Sequence, residues 1–439
     1  MKTQWQQLLS AQRQPFKNTT GNAERTSFQQ DFDRIIFSSS FRRLKDKTQV
    51  FPLSHSDYVR TRLTHSLEAC SVGRSLGTLA GKAIIERHNL QHVESSDFGA
   101  IVSAAALAHD IGNPPFGHAG EDAIRLFFKN NSSLLQTFSP AQQNDFLNFE
   151  GNAQGFRILT TLQGRQQRGL ELTSAVLGAF LKYPRASFLK ENLAGASAKK
   201  FGFFDSERLI FNEIAQDLNL KKRSENAYFR HPLAFLVEVA DDICYLIVDL
   251  EDAARLNVVS YSTAEELLRA FLPQNEHLKK RLNALGDNQS RLEYLRAKAI
   301  GELVNCAVAS FLDSENAILN GTLDENILRI CPLNAAVLEL QHFATQNIYN
   351  AKSALEIEIA GFQVIAHLLD LYHSAMEDPS LTREKMILSI LPAQFLQNGK
   401  PHENPYQRLL SVVDFVSGMT DSYAVAQYRK LSGIGIFSN

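Results

Sequence analysis

Apolar positions recur at helical spacing along most of the chain. From Thr64 to Arg87, Leu67, Cys70, Val72, Leu76, Leu79 and Ile84 fall near one face, which predicts a helix with Thr64 as its N-cap. A second helix is expected from Phe98 to Asp110, capped by Asp97. Ile111-Gly112-Asn113-Pro114-Pro115 must end it, because two prolines cannot continue the hydrogen-bond ladder. Further helices are expected from about Gly117 to Lys129 and from Leu233 to Ala254. Ala264 to Ala309 and Ala335 to Leu371 read as amphipathic helices, and Arg408 to Leu431 as a closing one. Two stretches interrupt the pattern. Tyr183 to Asn226 reads as an irregular, partly mobile excursion, and Met376 to Glu403, with three prolines, as a loop-rich crossing. Alternating β-branched runs are scarce, so the fold class is all-α.

The 439 residues suffice for two or three units or one large helical body. Lys and Arg number 45 against 47 Asp and Glu, a net charge of −2, which argues against nucleic-acid binding through overall charge. The four cysteines, Cys70, Cys244, Cys306 and Cys331, have no CxxC spacing and fit reduced thiols of the cytoplasm better than disulfides or zinc ribbons. The opening residues lack a signal core, and no apolar run approaches the roughly 18 residues of a membrane span.

Against this background a few polar residues stand out. His109-Asp110 closes an apolar helix, and an imidazole beside a carboxylate suits a divalent cation such as Mn, Fe, Co, Ni or Zn. The alternative is a charged helix end. His65 sits among apolar neighbours. Asp241, Tyr245 and Asp249 lie at i, i+4 and i+8 of another apolar helix, where buried carboxylates need a partner or a metal. A solvated stripe is the alternative there, because Glu238, Asp242 and Asp252 are charged too. His118 and Glu121, three apart, share a face and could manage a proton, although Glu121 could equally be a helix cap.

The order His65, His109-Asp110, Asp241 resembles the H…HD…D pattern of HD-domain metal phosphohydrolases. Longer strings are more specific: Arg60-Thr61-Arg62-Leu63-Thr64-His65-Ser66-Leu67-Glu68, His109 through Glu121, Phe149-Glu150-Gly151-Asn152-Ala153-Gln154, Lys182-Tyr183-Pro184, Lys200-Phe201-Gly202-Phe203-Phe204, Ala240 through Tyr245 and Gly418-Met419-Thr420-Asp421. Together they resemble bacterial dGTP triphosphohydrolases and their broad-specificity dNTPase relatives over nearly the whole chain, most weakly from about 255 to 400.

The resemblance implies an HD-type helical core over 25–255, preceded by an N-terminal segment, 1–24. A C-terminal helical region, 256–439, would complete the site and offer an oligomer interface. It implies hydrolysis of a deoxynucleoside triphosphate to deoxynucleoside and inorganic triphosphate, by water attack on the α-phosphorus. His65, His109, Asp110 and Asp241 would hold a divalent metal (Mn, Mg, Fe, Co, Ni or Zn), and His118 and Glu121 would be the catalytic pair. Gln49 would read the sugar 3′-hydroxyl with Asp249 as its carboxylate partner, and Tyr245 would pack on the sugar. Arg62, Asn152, Lys182 and Tyr183 would line the phosphate path, with Tyr406 beside them. Relatives also imply a homo-oligomer such as a hexamer, a nucleotide effector and single-stranded DNA as a further partner. Lys199-Lys200 and Lys221-Lys222-Arg223 read as solvated charge, and Phe201, Phe203 and Phe204 as packing. Another HD phosphohydrolase, a 5′-nucleotidase or phosphodiesterase, and a nucleotide or single-stranded DNA regulator without turnover are the alternatives.

Overall fold

Long apolar helices without a strand-forming pattern have to bury their faces on one another, and the chain does so. The computed structural model describes residues 4–14, 25–49, 60–163, 168–349 and 352–434. Residues 50–59, which follow Gln49, lie outside them, as does much of segment 1–24. The fold is all-α, with a two-stranded hairpin, Lys222–Ser224 against Ala227–Tyr228, as the strand pairing of regular length among the described residues.

The site-bearing elements follow in chain order. Helices α1 (Ser27–Ile36) and α2 (Ser39–Arg43) lead into α3 (Arg62–His88) and α4 (Ser95–Ala108). Then come α5 (Gly117–Asn130), α6 (Gly151–Arg157), α7 (Ser174–Phe180) and α8 (Pro232–Arg255). Beyond them lie α9 (Asn288–Asp313), α10 (Lys352–Glu377), α11 (Pro405–Ser417) and α12 (Asp421–Leu431).

Two apolar clusters hold these together. The larger joins α3, α4, α7, α8 and α9, and Trp5 packs into it. The smaller joins α5, α10, α11 and the Phe146–Phe149 region. Both draw on residues before and after 255. Helices α3 and α4 approach closely because Gly77 has no side chain: a Cβ there would stand 2.6 Å from the Phe98 carbonyl oxygen. A buried ion cluster ties α11 to the first half. Arg157 donates to both Asp414 carboxylate oxygens and to Glu207, and all three are 4% exposed or less.

Several expected boundaries shift. Helix α3 starts three residues early as a helix, with Thr61 as N-cap, because the Thr61 amide donates to Thr64 Oγ1. Thr64 is thus inside the first turn. Asp97 is likewise inside α4, accepting the amide of the N-cap Glu94. The excursion 183–226 contains a ten-residue helix, Arg208–Asp217, whose Phe211, Ile214 and Ala215 are buried. The proline-rich crossing contains Thr382–Ile390 as helix, since its prolines flank that segment rather than interrupt it. Helical runs over 264–309 and 335–371 are broken into shorter helices, and α11 and α12 are separated at Gly418–Thr420. Phe201, Phe203 and Phe204 are buried packing, as expected.

Candidate active site

The site forms where three helix ends meet the middle of α8. The start of α3 supplies Arg62 and His65, the end of α4 supplies His109 and Asp110, and the start of α5 supplies His118 and Glu121. The turn between α4 and α5 is drawn against α6 at Gly112, where a Cβ would lie 2.1 Å from both Gly151 O and Gly155 N. Phe116 then takes a left-handed backbone, φ 65°, held by donation of its amide to Asp421 Oδ1 at 3.0 Å.

His65, His109 and Asp110 bring one ligand atom each within 4.8 Å of one another. Asp241 Oδ1 is 3.0 Å from His65 Nε2 and 3.4 Å from His109 Nε2. His109 Nδ1–H donates to the Ala106 carbonyl at 2.7 Å, which turns Nε2 toward the carboxylates. That Nε2 is buried without a hydrogen-bond partner. Burial disfavours charge on His109, but Asp110 and Asp241 outweigh it and raise its pKa to about 9. Asp110 is lowered to about 2: burial opposes ionisation, and Arg62, then His109, overcome it. Arg62 Nη1 donates to Asp110 Oδ2 at 2.7 Å, and Asn113 Nδ2 to Asp110 Oδ1 at 2.6 Å. Two imidazoles and two ionised carboxylates with an orphaned nitrogen among them are a donor set that fits a divalent cation.

A second pair lies beside this cluster. His118 Nδ1–H donates to Glu121 Oε2 at 2.8 Å. Glu121 is buried, and its Oε1 accepts the Gly151 amide at 2.6 Å. Lys200 Nζ and Arg125 Nη2 each stand 3.7 Å from Glu121 Oε2. Burial would raise the Glu121 pKa, yet the bond from His118, then the Lys200 charge, lower it to about 2. The His118 side chain itself is 79% exposed, so its ring is free to meet a ligand.

Both groups border one cavity of about 370 Å³, to which Gln49, Arg62, Asn152, Lys182, Tyr183, Asp241 and Tyr245 also contribute. Gln49 Oε1 is buried there without a hydrogen-bond partner. Lys182 pairs with Glu238 at 3.2 Å. Burial opposes its charge, but Glu238 and Asp242 raise its pKa above the usual lysine range. A smaller annex of about 170 Å³ shares Gln49, Arg62, His118 and Tyr245 and adds Tyr349 and Glu358. The Tyr245 and Tyr349 rings stack there at 5.1 Å.

Three singled-out residues do not face the cavity. His65 stands behind Asp241, 1% exposed. Asp249 is buried behind the tyrosine stack and accepts from Tyr349 Oη at 3.3 Å, so it does not meet Gln49 at the cavity wall. Tyr406 does not line the phosphate path. It packs against Phe138 and Phe146 and donates to Asp145 Oδ2 at 2.6 Å, because α11 turns it into the smaller core.

Conversely, Asn113, Lys200, Glu238 and Asp242 line the cavity. Lys200, read as solvated charge, is bound to Glu150 at 3.0 Å. Its place in Lys200-Phe201-Gly202-Phe203-Phe204 was the available signal, since three buried phenylalanines fix where that lysine points. Arg223 is not solvated either: it pairs with Asp324 at 3.0 Å and lies over Phe229. Asp242 shares a helix turn with Asp241. Burial, with Glu238 and Asp241 nearby, raises its pKa to about 7, and Asn326 Nδ2 donates to it at 2.6 Å.

A helical body carrying this His–Asp cluster defines the class of the HD-domain hydrolases. Residues 332–430 match the phosphohydrolase-associated domain. The chain is 44% identical to a deoxyguanosinetriphosphate triphosphohydrolase-like protein of a Synechocystis strain, over 99% of this chain and 100% of that protein. It is 41% identical to one so named from Pseudomonas aeruginosa, over 98% of both. To a deoxyguanosinetriphosphate triphosphohydrolase of Salmonella arizonae it is 31% identical, over 93% of this chain and 94% of that one. The chain belongs to the deoxyguanosinetriphosphate triphosphohydrolase-like family.

Proposed function

We propose that the protein is a metal-dependent deoxynucleoside triphosphate triphosphohydrolase, releasing deoxynucleoside and inorganic triphosphate. The observation that carries this reading is the opening of the His–Asp cluster and the His118–Glu121 pair into one cavity walled by Arg62, Lys182 and Lys200. His65, His109, Asp110 and Asp241 would hold a divalent ion, which when bound supplies Lewis-acid polarisation and acidifies water. Arg62, Lys182 and Lys200 would balance a triphosphate of about four negative charges, given terminal phosphate pKa values near 6.

Water forms the new bond to the α-phosphorus as the bond to the sugar 5′-oxygen breaks. Glu121 keeps Nδ1 of His118 as the donor, which leaves Nε2 to hold or release a proton at that departing oxygen. Asn152 and Tyr183 would orient the phosphates. Gln49 would satisfy its orphaned Oε1 on the sugar 3′-hydroxyl. Tyr245, backed by Tyr349, would crowd a 2′-hydroxyl and so disfavour ribonucleotides.

The test is product analysis on purified protein with Mn²⁺ or Mg²⁺, each dNTP singly and all four mixed, with GTP as control. Deoxynucleoside and intact triphosphate are expected. Turnover of dGTP alone would make it a dGTPase, and turnover of several or only of the mixture a broader or nucleotide-activated enzyme. Monophosphate with pyrophosphate, or no turnover, would overturn the proposal.

A further inference from the structure

A second cavity lies away from the catalytic one. It measures about 350 Å³, and its walls include Arg43, Phe395, Phe415, Met419, Thr420 and Tyr423. Most of that surface is carbon, contributed by three aromatic rings, Met419 and Pro392. Arg43, the last residue of α2, is the one Lys or Arg in the wall.

Arg43 is half-buried, and its hydrogen bond to protein among the described residues is from Nη2 to Ser40 Oγ, 2.8 Å. No carboxylate among the described residues pairs with it. Burial lowers its pKa, with no neighbouring anion acting against that. The guanidinium lies over Gly418, where a Cβ would be 3.8 Å from Nη2. A largely desolvated cation that meets no anion among the described residues, at an aromatic-walled cavity, is an incomplete arrangement, because arginine in such a place ordinarily meets a carboxylate or phosphate. One guanidinium balances one negative charge, so a triphosphate does not fit its electrostatics.

Both walls run on into the catalytic pocket. From Arg43 the chain reaches Lys47, Thr48 and Gln49 within six residues. Lys47 Nζ donates to Ser417 O at 3.1 Å and also bonds Asn113 O. From Gly418, Met419 and Thr420 the chain reaches Asp421. Asp421 Oδ2 accepts the Thr48 amide at 2.9 Å and the Thr48 hydroxyl at 2.6 Å, while Oδ1 accepts the Phe116 amide. Thr48 and Phe116 stand beside Gln49 and Gly117-His118 respectively.

We propose that this cavity is a second ligand site, taking a small aromatic or aliphatic molecule with one carboxylate or other single anionic group. Its occupancy is transmitted through Gly418–Asp421 to Thr48 and Phe116 at the rim of the catalytic pocket. The Asp421 carboxylate is hydrogen-bonded to both rim segments, so a shift of Gly418–Asp421 on ligand binding would reach both, and exchange at those two amides is the coupling evidence the transmission requires.

The experiment uses the full chain and 2-naphthoate as probe, followed by calorimetry. Binding is expected, weaker by about ten- to a hundredfold in Arg43→Gln, where a charge-assisted hydrogen bond is lost. Met419→Trp, which fills the cavity, should abolish it. The neutral analogue 2-naphthalenemethanol should bind wild type as weakly as 2-naphthoate binds Arg43→Gln. Hydrogen exchange of the Thr48 and Phe116 amides should change on adding 2-naphthoate. No binding to wild type, equal binding to both variants, or equal affinity for the neutral analogue would overturn the site. Binding with unchanged Thr48 and Phe116 exchange would overturn the transmission. None of these readouts uses turnover, so they stand apart from the hydrolase proposal.

Discussion

Glu121 holds His118 with one carboxylate oxygen and the Gly151 amide with the other, so the ring is anchored to the start of α6 through a single buried side chain. His118→Ala removes the group proposed to manage the proton and leaves the His–Asp cluster, Arg62, Lys182 and Lys200 in place. We expect kcat to fall about 10²- to 10⁴-fold with KM little changed. Steady-state kinetics with the preferred dNTP checks this; an unchanged kcat would remove His118 from the reaction.

Metal occupancy should be visible without turnover. An ion held at a concentration of 100 Kd stabilises the folded state by about 2.7 kcal/mol. Stripping metal with a chelator and adding back Mn²⁺ should therefore raise the Tm. In His109→Ala, which loses the orphaned Nε2, the rise should vanish. A full rise in that variant would move the ion elsewhere.

Tyr406 and Asp145 predict an effect on stability rather than rate. Tyr406→Phe leaves a buried carboxylate one donor short, which costs about 1–3 kcal/mol, and kcat/KM should stay as in wild type. Urea denaturation beside kinetics separates the two.

The same carboxylate sets a pH dependence. Burial raises the Asp145 pKa to about 7, against the lowering effect of bonds from Ser187, Tyr406 and the Asp205 amide. The folded state therefore binds more protons than the unfolded state from about pH 4 to 7. The associated stability is full below that window and is lost as pH rises through 7. Asp145→Asn has no such proton to lose. The Tm difference, wild type minus variant, should fall as pH climbs from 4 to 8; a flat difference would refute the assignment.

Arg157 is a further lever. Arg157→Met strands Asp414 and Glu207 in the core without their cation, and breaking such a buried pair costs about 3–5 kcal/mol. The loss should appear as a lower denaturation midpoint, with α11 the first element to lose exchange protection.

Much of this arrangement could be read in advance because it depends on local chemistry. An apolar helix that ends in His109-Asp110 before two prolines has few places to put those side chains. Asp241 and Tyr245, four apart on α8, had to share a face, and both reach the cavity. The same spacing placed Asp249 with them, but helical phase fixes only a face. The tyrosine pair standing between Asp249 and the cavity comes partly from Tyr349, a hundred residues away. Tyr406 failed for a related reason: which way α11 rolls is decided by the smaller core. Lys200 and Asp242 looked like ordinary surface charge, because burial of an ionisable group depends on neighbours that periodicity does not supply.

Asp421 reaches Thr48 across 373 positions of sequence. Chains fold from the N-terminus as they are synthesised, at roughly 5–20 residues per second. Every residue of the His–Asp cluster has left the ribosome well before the carboxylate that pins Thr48 and Phe116 exists. A nascent chain can thus own all four side chains of the His–Asp cluster and still lack a finished rim around them. The pocket rim is completed only when translation reaches α12, which separates the moment the His–Asp cluster is synthesised from the moment its rim can close.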